Sequence, residues 1–262
     1  MPESCVELEW HEGVATVWMN RPQRHNAMDE TLIIELTRAF CRLDADARVR
    51  VIVLAGRGKS FSAGADLDWM RRAACFTPEQ NLKDARALAA MFRTIYQSSK
   101  PTLARIHGAA LGGGTGLIAV CDIAVASTQS FFATSEVRFG IVPGAISPYL
   151  IQAIGARNAS RYFLTGERIE ALEACRIGLI HEVCAPEALD QRILAIAAEL
   201  SAGGPRAQTA AKQLIRTVSS RALDEALGEY TAQFMANIRT SPEAREGIAA
   251  FLDKRKPQWF SG

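Results

Sequence analysis

Between His107 and Ala126 the chain reads HGAALGGGTGLIAVCDIAVA, with Gly112, Gly113 and Gly114 in a row and a fourth glycine at Gly116. A strand runs into this glycine turn and an apolar helix leaves it. Glycine permits close backbone approach and unusual dihedrals. A helix that starts near Gly113 has free N–H donors in its first turn, and these attract negative charge. The readings open at this stretch are a phosphate cradle, an oxyanion hole, or tight helix packing. This stretch contains no GK[ST], and Leu117 stands where GxGxxG needs its last glycine, so the phosphate motifs do not fit it in detail. A second small-residue turn, GKSFSAGADLDWM, also follows a strand-like run, VRVIVLAG. Two such turns could each aim one N–H at the same carbonyl oxygen and stabilise the enolate formed there.

The rest of the chain must position these groups. CVELEW and VATVWMN flank HEG as a β-hairpin. DETLIIELTRAFCRLDAD has helical periodicity with Asp29 as N-cap, and VRVIVLAG is a buried strand. DLDWMRR reads as a short helix. Thr77, Pro78 and Gln80 form a capping box that opens a long helix ending by Lys100–Pro101. TLARI and DIAVAS are strands. Beyond about residue 145 the pattern turns helical: SPYLIQAIG, RNASRYFLTG and EALEACRIG are short helices and LIHEV is a strand or extended link. Longer helices span roughly 187–202, 206–239 with a break near Ser219, and 242–254. Strand, small-residue turn and helix recur, which predicts an α/β fold with sites at strand-to-helix turns.

Composition narrows the function classes. With 262 residues, 48% of them hydrophobic, the chain can bury one sizeable core. A net charge of +2 argues against nucleic acid as a partner, and Arg71–Arg72 and Lys254–Lys256 read as solvated faces or local anion contacts. The six cysteines make no CxxC or Cys/His cluster, so no metal site is expected; most read as small buried hydrophobes of a reducing compartment. The start MPESCVELEW is acidic and strand-like, unlike a signal peptide, and no apolar run is long enough for a membrane span. The expectation is a soluble cytoplasmic protein with no membrane partner.

Five ordered stretches, NRPQRHNAM, FSAGADL, HGAALGGGTGLIAVCDIAVAS, SEVRFGIVPG and AAFLDKRKPQW, resemble the enoyl-CoA hydratase/isomerase (crotonase) superfamily over essentially the whole chain. The resemblance implies a crotonase-type spiral of ββα units over residues 1–200. A helical oligomerisation region would follow over 201–262, with assembly into homotrimers or homohexamers. It implies an acyl-CoA substrate and no separate cofactor, since coenzyme A arrives as part of the substrate. On the resemblance the oxyanion donors fall on the N–H groups of Ala65 and Gly113, and the acid/base on Glu136, which lies between the apolar FFA and VRFGIVPG, where partial burial would raise its pKa towards neutral pH. Arg24, Ala63, Asp66, Leu67, Gly116, Gly144, Phe251 and Lys254 fall at substrate or CoA positions. The acyl pocket would draw on residues 68–95 and 138–150, with His107 and His181 structural.

One departure matters. Hydratases of this family usually carry a second glutamate two residues after the glycine triplet, where this chain has Gly116. A single carboxylate is also what Δ3,Δ2-enoyl-CoA isomerases resemble. GGGTGLIAVCDIAVAS and SEVRFGIVPGAISPYLIQAIG, however, resemble bacterial methylglutaconyl-CoA and isohexenylglutaconyl-CoA hydratases, which serve leucine and acyclic-terpene breakdown. On that resemblance Gly116 leaves room for a branched or charged acyl chain, and the substrate's own carboxylate helps to hold water. An acyl-CoA-binding scaffold without turnover stays open as a non-enzyme alternative.

Overall fold

The computed structural model describes residues 4–260. The expected strand reading of MPESCVELEW begins at residues 1–3, which lie outside that range, as do residues 261 and 262 of the helical region. Within the range, β1 (Val6–His11) and β2 (Val14–Met19) form the expected hairpin. Its two-residue turn places Glu12 and Gly13 at φ 44° and 81°, the left-handed pair that matches strand twist. β3 (Val51–Gly56), β4 (Thr102–Ile106), β6 (Ile123–Ser127) and β9 (Glu182–Cys184) then add in parallel, in the order β1-β2-β3-β4-β6-β9.

Every residue of β3 is buried, because both of its faces are covered. Ile52 and Leu54 join the main core with α1 (Glu30–Ala45) and α3 (Pro78–Gln97). Val51 and Val53 face the other way, onto Leu103, Val125, and Leu189 and Ile193 of α7 (Leu189–Ala202). Alternate side chains thus serve two layers, which is why this strand reads as a continuous apolar run.

A second sheet joins β5 (Ala109–Leu111) and β7 (Phe131–Ala133) in parallel, with β8 (Ile169–Glu170) antiparallel at its edge. Sequence reading missed these strands: two or three residues give no alternation to detect. They complete the ββα units. β4 joins the large sheet, β5 the small one, and α4 (Gly113–Ala119) follows; β6, β7 and α5 (Ser147–Thr165) repeat the pattern. The two short helices expected here are present as the halves of α5, divided at Gly155, whose φ 72° and ψ 156° are not helical. α2 (Leu67–Ala73) and α6 (Ala171–Arg176) fall where the pattern placed them.

The expected break near Ser219 separates α8 (Pro205–Val218) from α9 (Glu225–Arg239), and α10 (Pro242–Leu252) follows. The first of these helices, α8, is fastened by polar contacts to the end of α3 and to the segments that lead into β4 and β6. Thr209 Oγ1 donates to Ser99 O at 2.9 Å, Arg216 donates to Tyr96 O, and buried Lys212 donates to Lys100 O and to the Asp122 carboxylate. One expectation fails here. Of the six cysteines only Cys121 is buried, while Cys41 and Cys75 are exposed. Cys41 lies on the polar face of amphipathic α1 and Cys75 just beyond the end of α2. Among the described residues, no helix is long and apolar enough to cross a membrane.

Removing one partner of a buried ion pair strands the other. Lys212→Ala should therefore lower unfolding free energy by about 2–3 kcal/mol, short of the full cost because Thr102 still donates to Asp122 and that carboxylate keeps some exposure. The urea midpoint checks this; an unchanged midpoint would mean the pair contributes nothing.

Candidate active site

The two small-residue turns meet on the small sheet. Ser62 bridges Ala110 of β5, with Ser62 N–H donating to Ala109 O at 3.1 Å and Leu111 N–H donating to Ser62 O at 2.9 Å. On its other side the same segment bridges Met28: Met28 N–H donates to Gly64 O at 2.6 Å and Asp66 N–H to Met28 O at 2.8 Å. Parallel pairing of this kind uses the groups on either side of Ala65 and skips its own N–H. Among the described residues, neither Ala65 N–H nor Gly113 N–H donates to a protein acceptor. Gly113 opens α4, so its donor is one of the helix's orphans.

The glycines are what let these turns touch. Gly64 sits at φ 84°, and a Cβ there would stand 2.7 Å from Leu111 O. A Cβ on Gly114 would stand 2.7 Å from Ser62 O. Thr115 supports the turn from behind, its hydroxyl 2.9 Å from Ala110 O and 3.2 Å from Ala133 O.

β7 delivers the carboxylate. It runs parallel to β5, Gly112 N–H donates to Ala133 O at 2.8 Å, and a 3-10 helix starts at Glu136. A methyl group on Gly112 would stand 3.1 Å from Glu136 Oε1, so the carboxylate lies against the glycine turn. Glu136 Oε2 is buried and has no hydrogen-bond partner among the described residues. Burial raises the Glu136 pKa, opposed only by its own backbone N–H. β5 and β7 thus lead into the Gly113 N–H and the half-buried Glu136 carboxyl, while the segment bridged to β5 at Ser62 carries the Ala65 N–H.

Gly116 behaves differently from its expectation. A Cβ there would overlap Ile146 Cγ2 and stand 2.9 Å from Ile146 Cβ and 3.1 Å from Phe92 Cε1. The space beside Gly116 is thus filled by this protein's own side chains and is not room left for an acyl chain. Phe92 and Ile146 do come from the two segments expected to line the acyl pocket. Neither was singled out in the sequence, where Phe92 is one more apolar position of an amphipathic helix and Ile146 lies in a loop.

The remaining expected positions divide. Asp66 is buried, N-caps α2 by accepting from Asp68 N–H at 2.9 Å, and pairs with Arg21 at 3.2 Å. Ala63 N–H is spent on His25 O. Arg24 pairs with Asp68 at 2.9 Å on the surface beside α2, and Leu67 is exposed. Gly144 lies exposed in the loop before α5. Phe251 and Lys254 are exposed at the end of α10, which packs on α8 and α9. The two histidines lie in backbone networks, His107 against Gly58 O and His181 accepting from Ala124 N–H. Among the described residues no three His, Cys, Asp or Glu side chains cluster as a metal site.

A family model described as enoyl-CoA hydratase/isomerase matches residues 9–262. A solved enoyl-CoA hydratase from Shewanella pealeana ATCC 700345 is similar with a TM-score of 0.95 at 37% identity, covering 97% of this chain and 96% of that one. The crotonyl-CoA hydratase of Syntrophomonas wolfei is 33% identical over 264 residues, 98% of each chain. The 2,3-dehydroadipyl-CoA hydratase of Escherichia coli K12 is 32% identical over 249 residues, 95% of each.

Because its pKa is raised in the folded state, ionised Glu136 destabilises the fold. Its contribution is most favourable below the ordinary carboxyl pKa of 4.5 and is lost as pH rises through the folded value. Glu136→Gln should therefore melt above wild type at pH 8, with the difference vanishing towards pH 4. A variant that melts lower at pH 8 would contradict an uncompensated buried carboxylate.

Proposed function

The chain belongs to the enoyl-CoA hydratase/isomerase family and has its crotonase fold with a helical C-terminal region, and from that premise we propose that it reversibly hydrates a 2-enoyl-CoA with a branched or carboxylated, methylglutaconyl-CoA-like acyl chain. It is an acyl-CoA enzyme, which sets aside the scaffold without turnover. One observation carries the mechanism: a half-buried Glu136 carboxylate whose buried Oε2 has no hydrogen-bond partner among the described residues, beside the turn that bears an unspent N–H.

The thioester oxygen accepts hydrogen bonds from Ala65 and Gly113. Ionised Glu136 takes a proton from water as the water oxygen bonds to Cβ. The alkene electrons move onto the thioester as an enolate, and the two N–H donors hold that charge; losing one such donor costs about 3–4 kcal/mol of transition-state stabilisation. Glu136 then returns its proton to Cα. The sum is addition of H and OH across the double bond, with the enzyme regenerated. A single carboxylate suffices because it acts as base and then as acid, and a raised pKa suits both halves.

The segment GAISPYL, in its likeness to glutaconyl-type hydratases, supports the substrate class. So does the relative named for 2,3-dehydroadipyl-CoA, an ester that carries its own carboxylate. Exposed Ile215, Met235, Ile248, Phe251 and Leu252 on the last three helices support packing into a homotrimer or homohexamer. The apolar filling beside Gly116 favours a second reading, Δ3,Δ2-enoyl-CoA isomerase, in which Glu136 moves one proton between C2 and C4 and water never adds.

Turnover in heavy-oxygen water, read by mass spectrometry, separates the two. The substrates are 3-methylglutaconyl-CoA, crotonyl-CoA and a 3-enoyl-CoA. The expected result is label entering the glutaconyl ester fastest and lost in Glu136→Gln. Double-bond migration without label would replace hydratase with isomerase.

A further inference from the structure

Gly116 is a helical residue with no left-handed dihedral, and its backbone does not require glycine. What forbids a side chain there is the neighbour, Ile146, with Phe92 behind it. Both are buried, Ile146 at 3% exposure and Phe92 at 0%. Ile146 is moreover the N-cap residue of α5 and offers no side-chain cap, at a position where Ser, Thr, Asp or Asn would satisfy a helix donor. The sequence forgoes a cap to put a branched apolar side chain at this point. Such a local conflict marks a site where another demand prevails.

That demand lies in the site. Gly116 lies within α4, whereas Gly112 is its N-cap with non-helical φ 49° and ψ −118°. A Cβ on Gly112 would meet the Glu136 carboxylate, and one on Gly116 would meet Ile146 and Phe92. Tyr149 extends the wall, its ring centroid 6.4 Å from that of Phe92. This side offers no acid/base group. The other side offers one.

We propose that Ile146 is a specificity-determining residue: its side chain occupies the volume that a carboxylate-bearing residue at 116 would need, and so confines proton transfer to Glu136. Esters that need a second protein carboxylate to hold water, such as crotonyl-CoA, are then poor substrates. Esters that supply their own polar group are favoured. This rests on reading the site as a 2-enoyl-CoA hydratase, and the test has one arm independent of that reading.

The first arm is a thermal double-substitution cycle. Gly→Ala inside a helix ordinarily stabilises. With Ile146 present, Gly116→Ala should instead lower Tm by roughly 4 °C or more, and in an Ile146→Ala background it should leave Tm level or raise it. Equal effects in both backgrounds, or a rise with Ile146 intact, would overturn the packing claim. The second arm is activity. Gly116→Glu with Ile146→Gly should hydrate crotonyl-CoA at least tenfold faster in kcat than Ile146→Gly alone, at similar KM. A folded double variant no faster than the single would overturn the specificity claim. If the cycle couples as stated but wild type hydrates no 2-enoyl-CoA, the hydratase reading fails while the packing claim stands, and Ile146 loses its assigned role.

Discussion

Everything in the site depends on two turns approaching backbone to backbone. The segment 62–65 lies between Met28 and β5, and the turn at 111–114 leaves β5 directly across from it. Any side chain at Gly64 or Gly114 would push against a carbonyl of the opposite turn at 2.7 Å. The clustered glycines are therefore a requirement for contact. Ala65 N–H and Gly113 N–H, one in each of the two touching turns, donate to no acceptor among the described residues. A rigid pair of unspent donors is costly to leave unsolvated, and that cost makes them strong where negative charge develops on an oxygen.

The small sheet converts that contact into a reactive arrangement. β5 and β7 run parallel and in register, so the segments that leave them emerge at the same end. One becomes the N-terminus of α4 and the other begins with Glu136. Burial then does to the carboxyl what no neighbouring cation undoes, raising its pKa. Across the glycine helix the wall of Ile146 and Phe92 is apolar. Donors, one carboxylate and an apolar wall are the groups that the proposed chemistry, polarising a carbonyl and moving a proton, requires.

Much of this was legible in the sequence. The long elements announced themselves through period and caps: the Asp29 cap, the Thr77–Gln80 box and the continuous run VIVLAG all stand as read. The two glycine-rich turns carried their own physical meaning, whereas the roles of Ala65, Gly113 and Glu136 came from the likeness of their motifs to the family. The small sheet was not legible, since strands of two or three residues are made by partners distant in sequence. Gly116 was misread for a related reason. A glycine in a sequence shows that a side chain is absent, whereas only packing shows whether the space is open or filled by Ile146. Most of the six cysteines were read as buried by residue type, although only Cys121 is, and a helix face and a helix end put Cys41 and Cys75 in solvent.

The central claim is that Ala65 and Gly113 hold the thioester oxygen. The most direct measurement is the carbonyl stretch of 3-methylglutaconyl-CoA, carbon-13 labelled at the thioester carbon and bound to Glu136→Gln so that turnover does not intervene. Two N–H donors aimed at the oxygen weaken the C=O bond, so isotope-edited Raman should show the stretch falling below that of the free ester in water. A stretch equal to or above the free value, with binding confirmed in the same sample, would contradict the account.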